Sequence, residues 1–185
     1  IMALAGMLPY HIYYSQSQKK PPPGYCKIHV DAGVMARRGG SAAALYRDAD
    51  GNYMGSSALV IDGVEDPATL ETIACREALS LAEDMGIQNF VIASDCQQVD
   101  SDINRRSHRM YGAIIAEINL RASSFHCIFS FKNRAVNYEA HSLAKHALSL
   151  DHGRYISFDQ PHTTRKNLIH RILPAAWFKQ PATAT

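Results

Sequence analysis

Residues 26–31 read Cys26-Lys27-Ile28-His29-Val30-Asp31, and residues 90–95 read Phe90-Val91-Ile92-Ala93-Ser94-Asp95. Each is a short, apolar-rich run of the kind that forms a strand, and each ends on a carboxylate. Between them Glu71 sits inside the apolar face of a helix-like stretch. An ionised carboxylate is costly to bury unless something cationic compensates it. Three that can converge point to a divalent metal site, and so to chemistry on phosphates.

The helix is marked at both ends. Asp66-Pro67 supplies an N-cap and a proline at the first helical position, and Gly86 follows Met85 as a stop. On a wheel of about 100° per residue, Leu70, Ala74, Ala78, Leu81, Ala82 and Met85 share one face. Thr72, Arg76, Ser80 and Glu83 are expected opposite, Glu71 falls inside the apolar arc, and Glu77 lies at its edge. Glu77, Glu83 and Asp84 read as a solvated or salt-bridged face.

Outward from these elements the pattern continues. Ser41 to Arg47 and Tyr53 to Ile61 read as two further strands, joined by the turn residues Asp48-Ala49-Asp50-Gly51-Asn52. Arg37-Arg38-Gly39-Gly40 is expected as a loop after the first strand, which is expected to end at Asp31 or Ala32. Two helices are expected over 96–104 and 111–123, a fifth strand over 125–131 and a last helix over 136–150. The inner face of that last helix holds Ala140, Leu143, Ala144, Ala147 and Leu148. The order β-β-β-α-β-α-α-β-α implies an α/β domain, a five-stranded mixed sheet flanked by helices. Residues 1–24 read as a tail with a Pro21-Pro22-Pro23-Gly24 linker, 25–150 as the domain, and 151–185 as a C-terminal tail in which Trp177 and Phe178 are pinned.

Composition narrows the class. Hydrophobic content of 46% with 19% charged residues is that of a globular domain. A net charge of +2 allows a nucleic-acid partner without demanding one. The four cysteines (Cys26, Cys75, Cys96 and Cys127) are too dispersed for a zinc module and read as reduced core residues. That usage leads to the expectation of an intracellular compartment, nucleus or cytoplasm. The apolar start, Ile1 to Leu8, is too short to span a bilayer, so no membrane partner is expected.

Ligand-binding groups of an α/β sheet collect at the ends of central strands. Asp31 and Asp95 end strands that can be neighbours there, and the first turns of the helix from Pro67 can add Glu71. Three hard oxygen donors suit Mg²⁺ or Mn²⁺. Two such ions about 3.5–4 Å apart would activate a water and stabilise the leaving oxygen of a phosphodiester. Taken singly, each acid has another reading. Asp31 can be a turn residue, Asp95 an N-cap, and Glu71 a salt-bridged or snorkelling side chain. Asp100 and Asp102 are expected to decorate the helix after Asp95.

The strand with Asp31, the stretch Leu70-Glu71-Thr72-Ile73-Ala74-Cys75-Arg76-Glu77-Ala78-Leu79, Ala93-Ser94-Asp95-Cys96, and Asn137-Tyr138-Glu139-Ala140-His141-Ser142-Leu143-Ala144-Lys145 come in a familiar order. Over residues 25–150 the chain resembles type 1 ribonuclease H, and more closely the plant ribonuclease H-like domains related to retroelement reverse transcriptases. The resemblance implies a metal-dependent endonuclease that hydrolyses the RNA strand of RNA–DNA hybrids by a two-metal mechanism, leaving a 3′-hydroxyl and a 5′-phosphate. It implies Asp31, Glu71 and Asp95 as ligands of two Mg²⁺ or Mn²⁺ ions, with Asp31 bridging.

The family's fourth acid falls at His141, which is counted among the catalytic residues. There it could ligate Mn²⁺, hold a proton for the attacking water, or be a half-exposed helix residue. The short Lys132-Asn133-Arg134-Ala135 connection is a second departure. Contacts to nucleic acid are expected from Arg37, Arg38, Gly39, Gly40, Arg134 and Asn137. A second basic cluster, Asn104-Arg105-Arg106-Ser107-His108-Arg109, is equally readable as solvated charge. A monomer is expected. The alternative function is a catalytically weak or inactive module that binds nucleic acid or a protein. A third is another nuclease of the same superfamily with a different substrate.

Overall fold

The computed structural model describes residues 20–105, 110–134 and 137–158. Ten elements follow in order: β1 (Cys26–Met35), β2 (Gly39–Arg47), β3 (Tyr53–Asp62), α1 (Pro67–Met85), β4 (Asn89–Ser94), α2 (Gln97–Arg105), α3 (Gly112–Ala122), β5 (His126–Phe131), α4 (Tyr138–Ala147) and β6 (Gly153–Phe158). They build one mixed sheet in the order β5-β4-β1-β2-β3-β6. β1, β2 and β3 form the expected antiparallel meander, while β4 lies parallel to β1 on its other side and β5 parallel to β4.

The sheet therefore has six strands, one more than expected, and the segment after residue 150 is not all tail. β6 pairs antiparallel with β3, from Gly55↔Phe158 to Val60↔Gly153. Arg154 on this strand fastens it to α1, with Nε donating to Glu77 Oε1 at 2.6 Å and an NH2 group donating to Asp84 Oδ2 at 2.7 Å. Residues 1–19, Arg106 to Arg109, Ala135, Val136, Trp177 and Phe178 lie outside the described residues.

Helices cover both faces of the sheet, and β2 shows how. Ala42 and Ala44 face the core built with α1, α2 and α3, whereas Ala43 and Leu45 face the core built with α4. This is the period-2 alternation of a strand buried on both sides. The small side chains let both helices approach closely.

The ends of α1 form as the sequence predicts. Asp66 Oδ2 accepts from the Thr69 N–H at 2.7 Å, and Gly86 closes the helix at φ 67°. The polar side of α1 is less exposed than its wheel implies. Thr72 is fully buried and donates its hydroxyl to the Ala68 carbonyl at 2.7 Å. Arg76 and Glu83 pair with Glu117 and Arg121 of α3. α3 packs on that side, so salt bridges replace solvent there.

Candidate metal centre

β1 does not stop at Asp31. It continues to Met35, paired with β2 alone, because β4 ends at Ser94, the partner of Val30. A notch opens in the sheet where the parallel neighbour is lost. Asp31 points into it from the middle of a strand, with 2% exposure, and Asp95 follows directly on the end of β4. α1 lies across β1 and β2, and its second turn brings in Glu71. One carboxylate oxygen from each of Asp31, Glu71 and Asp95 lies within 4.8 Å of the other two. Among the described residues no other group of three or more His, Cys, Asp or Glu side chains is so arranged.

The electrostatics of this nest are those of acids without a counter-ion. Burial pushes the Glu71 carboxyl up to about 8, and the neighbouring Asp31 and Asp95 charges add to the effect. Burial, and after it the Asp95 charge, also raises Asp31. Glu71 Oε2 is buried and accepts no hydrogen bond. An orphaned buried carboxylate oxygen facing two further carboxylates fits a hard divalent cation, which would satisfy all three at once. Among the described residues the guanidinium of Arg134 reaches to 3.8 Å from Asp95 Oδ2 and is 74% exposed, so it compensates the nest weakly.

Asp31 is held from two sides. The Ala32 N–H donates to its Oδ1 at 2.7 Å, and His141 Nδ1 stands 3.1 Å from its Oδ2. The structure thus brings Asp31, Glu71 and Asp95 together and sets His141 beside Asp31.

Other expected site residues fare differently. Asn137 is not a surface contact; it is 1% exposed, and its Nδ2 donates to the Val30 carbonyl at 2.7 Å while its Oδ1 meets His29 Nδ1 at 3.3 Å. Burial lowers His29 to about 4, so this ring stays neutral and donates. Asn137 precedes α4, where an asparagine reads as a helix cap, yet its side chain makes no capping bond. It anchors α4 to β1 instead.

Gly39 and Gly40 are buried within β2, not in a loop open to a ligand. A Cβ on Gly39 would meet the Ile61 carbonyl oxygen at 2.1 Å, and one on Gly40 would meet Leu70 Cδ1 at 2.3 Å. Leu70 precedes Glu71, so the absent side chain at Gly40 is what lets α1 settle low enough to deliver the glutamate. Arg37 and Arg38 remain exposed in the β1–β2 turn, with Arg37 at φ 64°. Asp102 is also not a surface acid; it is buried and accepts from the Tyr111 hydroxyl at 2.6 Å.

Comparison with known proteins agrees with this fold. Residues 29–147 match the family model described as reverse transcriptase-like. No curated protein sequence matches the chain. Among solved structures, a ribonuclease H1 from the halophilic archaeon Halobacterium salinarum superposes with a TM-score of 0.59 at 20% identity, covering 68% of this chain and 98% of that one. The N-terminal ribonuclease H domain of a Mycobacterium tuberculosis protein gives 0.59 at 22% identity, covering 67% and 94%. A ribonuclease H1 in complex with an RNA/DNA hybrid gives 0.60 at 16% identity, covering 67% and 96%. At such identities the likeness establishes the fold.

Proposed function

Because the chain belongs to the reverse transcriptase-like family and carries a ribonuclease H-like domain, we propose that it hydrolyses the RNA strand of RNA–DNA hybrids with divalent metal ions. The observation that carries this reading is the nest of Asp31, Glu71 and Asp95, with its orphaned Glu71 oxygen. The hybrid held by one structural neighbour supports the substrate class.

In the proposed reaction, water attacks the scissile phosphorus, the P–O3′ bond breaks, and a 3′-hydroxyl and a 5′-phosphate result. Two Mg²⁺ or Mn²⁺ ions, when bound, would supply an activated water and neutralise the leaving oxygen. The chain's own residues do the rest. Asp31, Glu71 and Asp95, whose carboxylate oxygens lie within 4.8 Å of one another, would hold the ions. Glu71, held protonated by burial and its acidic neighbours, would lose that proton when an ion is bound. Arg37, Arg38 and Arg134, all exposed, would grip phosphates without reading sequence. We place the domain inside the cell and acting as a monomer. Among the described residues no helix is long and apolar enough to cross a membrane.

The test is cleavage of a labelled RNA–DNA hybrid with Mg²⁺ and with Mn²⁺, beside single- and double-stranded controls. Hybrid-selective cleavage that is lost in Asp95→Asn supports the proposal. Intact hybrid, bound but uncut, would replace it with the binding-module reading.

A further inference from the structure

His141 stands beside the nest but outside it. Its Nδ1 is turned to Asp31 Oδ2, while Asp31 Oδ1 is taken by the Ala32 N–H. An ionised carboxylate only accepts hydrogen bonds, so Nδ1 is the donor to Asp31. The ring is rigid, and its two nitrogens look out in different directions. With Nδ1 on Asp31, Nε2 is turned away from that carboxylate. No set of three donors other than Asp31, Glu71 and Asp95 exists among the described residues, and His141 is not one of that group.

The placement of the ring is itself built. Asn137 ties α4 to the Val30 carbonyl, and the His141 N–H donates to the Asn137 carbonyl oxygen one turn later at 3.1 Å. The residue before Asp31 and the residue that touches Asp31 are thus fixed by one buried amide.

We propose that His141 is a positioning residue that holds Asp31 by an Nδ1–H hydrogen bond and leaves the ions an all-oxygen set of protein ligands. This rests on the metal reading of the three acids. It separates two outcomes that the histidine alone leaves open. A nitrogen ligand would tilt the site toward Mn²⁺, whereas an all-oxygen set serves Mg²⁺ as well.

The experiment is pulsed electron paramagnetic resonance of the full chain loaded with Mn²⁺, together with Mn²⁺ titrations. Bound Mn²⁺ should show no ¹⁴N coupling of a directly coordinated imidazole. His141→Ala should weaken Mn²⁺ binding about 10–100-fold, the usual loss when a hydrogen bond behind a metal ligand is removed. His141→Asn, which keeps an N–H donor near the same place, should recover most of it. A directly coordinated ¹⁴N signal overturns the proposal. So does an unchanged affinity in His141→Ala, or an asparagine variant no better than the alanine one. If His141→Ala does not fold, the wild-type spectrum decides alone. A protein that binds no Mn²⁺ at all overturns the metal reading and this inference with it.

Discussion

Glu71 and Glu77 lie less than two turns apart on one helix, and both carboxylates are largely withdrawn from water. Glu77 is met by Arg154, whose Nε stands 2.6 Å from Oε1. Glu71 is met by two more acids, and one of its oxygens has no partner. The fold thus supplies a cation for one buried glutamate and withholds it from the other. Where burial serves packing, the chain brings its own counter-charge. On the proposed function, the counter-charge of Glu71 is left to arrive from solution as a metal ion.

The contrast breaks most decisively at Asp95. Replacing it by Asn should drop hybrid cleavage to background while the folded state survives, since the change relieves repulsion in the nest. A melting curve beside the cleavage assay checks both halves. At Glu77 the opposite is expected. Glu77→Gln leaves Arg154 with Asp84 as its one remaining acid among the described residues and should cost about 1–3 kcal/mol of stability, discounted for the partial exposure of Arg154. That loss, read by denaturant unfolding, should be the same with and without Mg²⁺.

The metal-free protein should also report Glu71 through pH. Its carboxyl, with an ordinary value of 4.5, stays protonated in the fold up to about 8. The native state therefore binds more protons than the unfolded chain between those values, and stability falls as pH rises through that window. The loss should be on the order of a few kcal/mol and should shrink in Glu71→Gln to the part that the raised Asp31 contributes. Saturating Mg²⁺ should reverse it in the wild type, as thermal melts between pH 5 and pH 9 would record. The smallest effect is expected at Arg134. Arg134→Ala should raise KM for the hybrid only a few-fold and reduce the salt slope of binding by about 1, the mark of a lost phosphate contact.

The two regions were not equally legible in the sequence. Phe90 to Asp95 and Cys26 to Asp31 are apolar runs that stop on an acid, so the convergence of their ends could be foreseen once β1 and β4 were placed side by side. Asp66-Pro67 and Gly86 bound α1 to the residue, which put Glu71 inside its apolar arc. The partner of Glu77 could not be foreseen in the same way. Arg154 sits on a six-residue edge strand too short for its periodicity to stand out, and its pairing with β3 spans about a hundred residues.

Gly39, Gly40 and Asn137 misled for a different reason. A glycine pair after two arginines reads as a loop, and a polar asparagine close to Arg134 reads as a contact to nucleic acid. Only the packing of Leu70 against Gly40, and of Asn137 against Val30, shows that these residues carry the site instead of touching a ligand. The extension of β1 past Asp31 was hidden too, because it depends on β2 alone.

The most direct test of the central claim is calorimetric titration of Mg²⁺ into the metal-free protein at pH 7 in two buffers of different ionisation enthalpy. Glu71 is protonated there in the metal-free state, so binding should release a proton, and the observed heat should change with the buffer. Both the binding and the buffer dependence should disappear in a protein lacking the nest. No heat of binding, or binding with no proton released, would contradict the account.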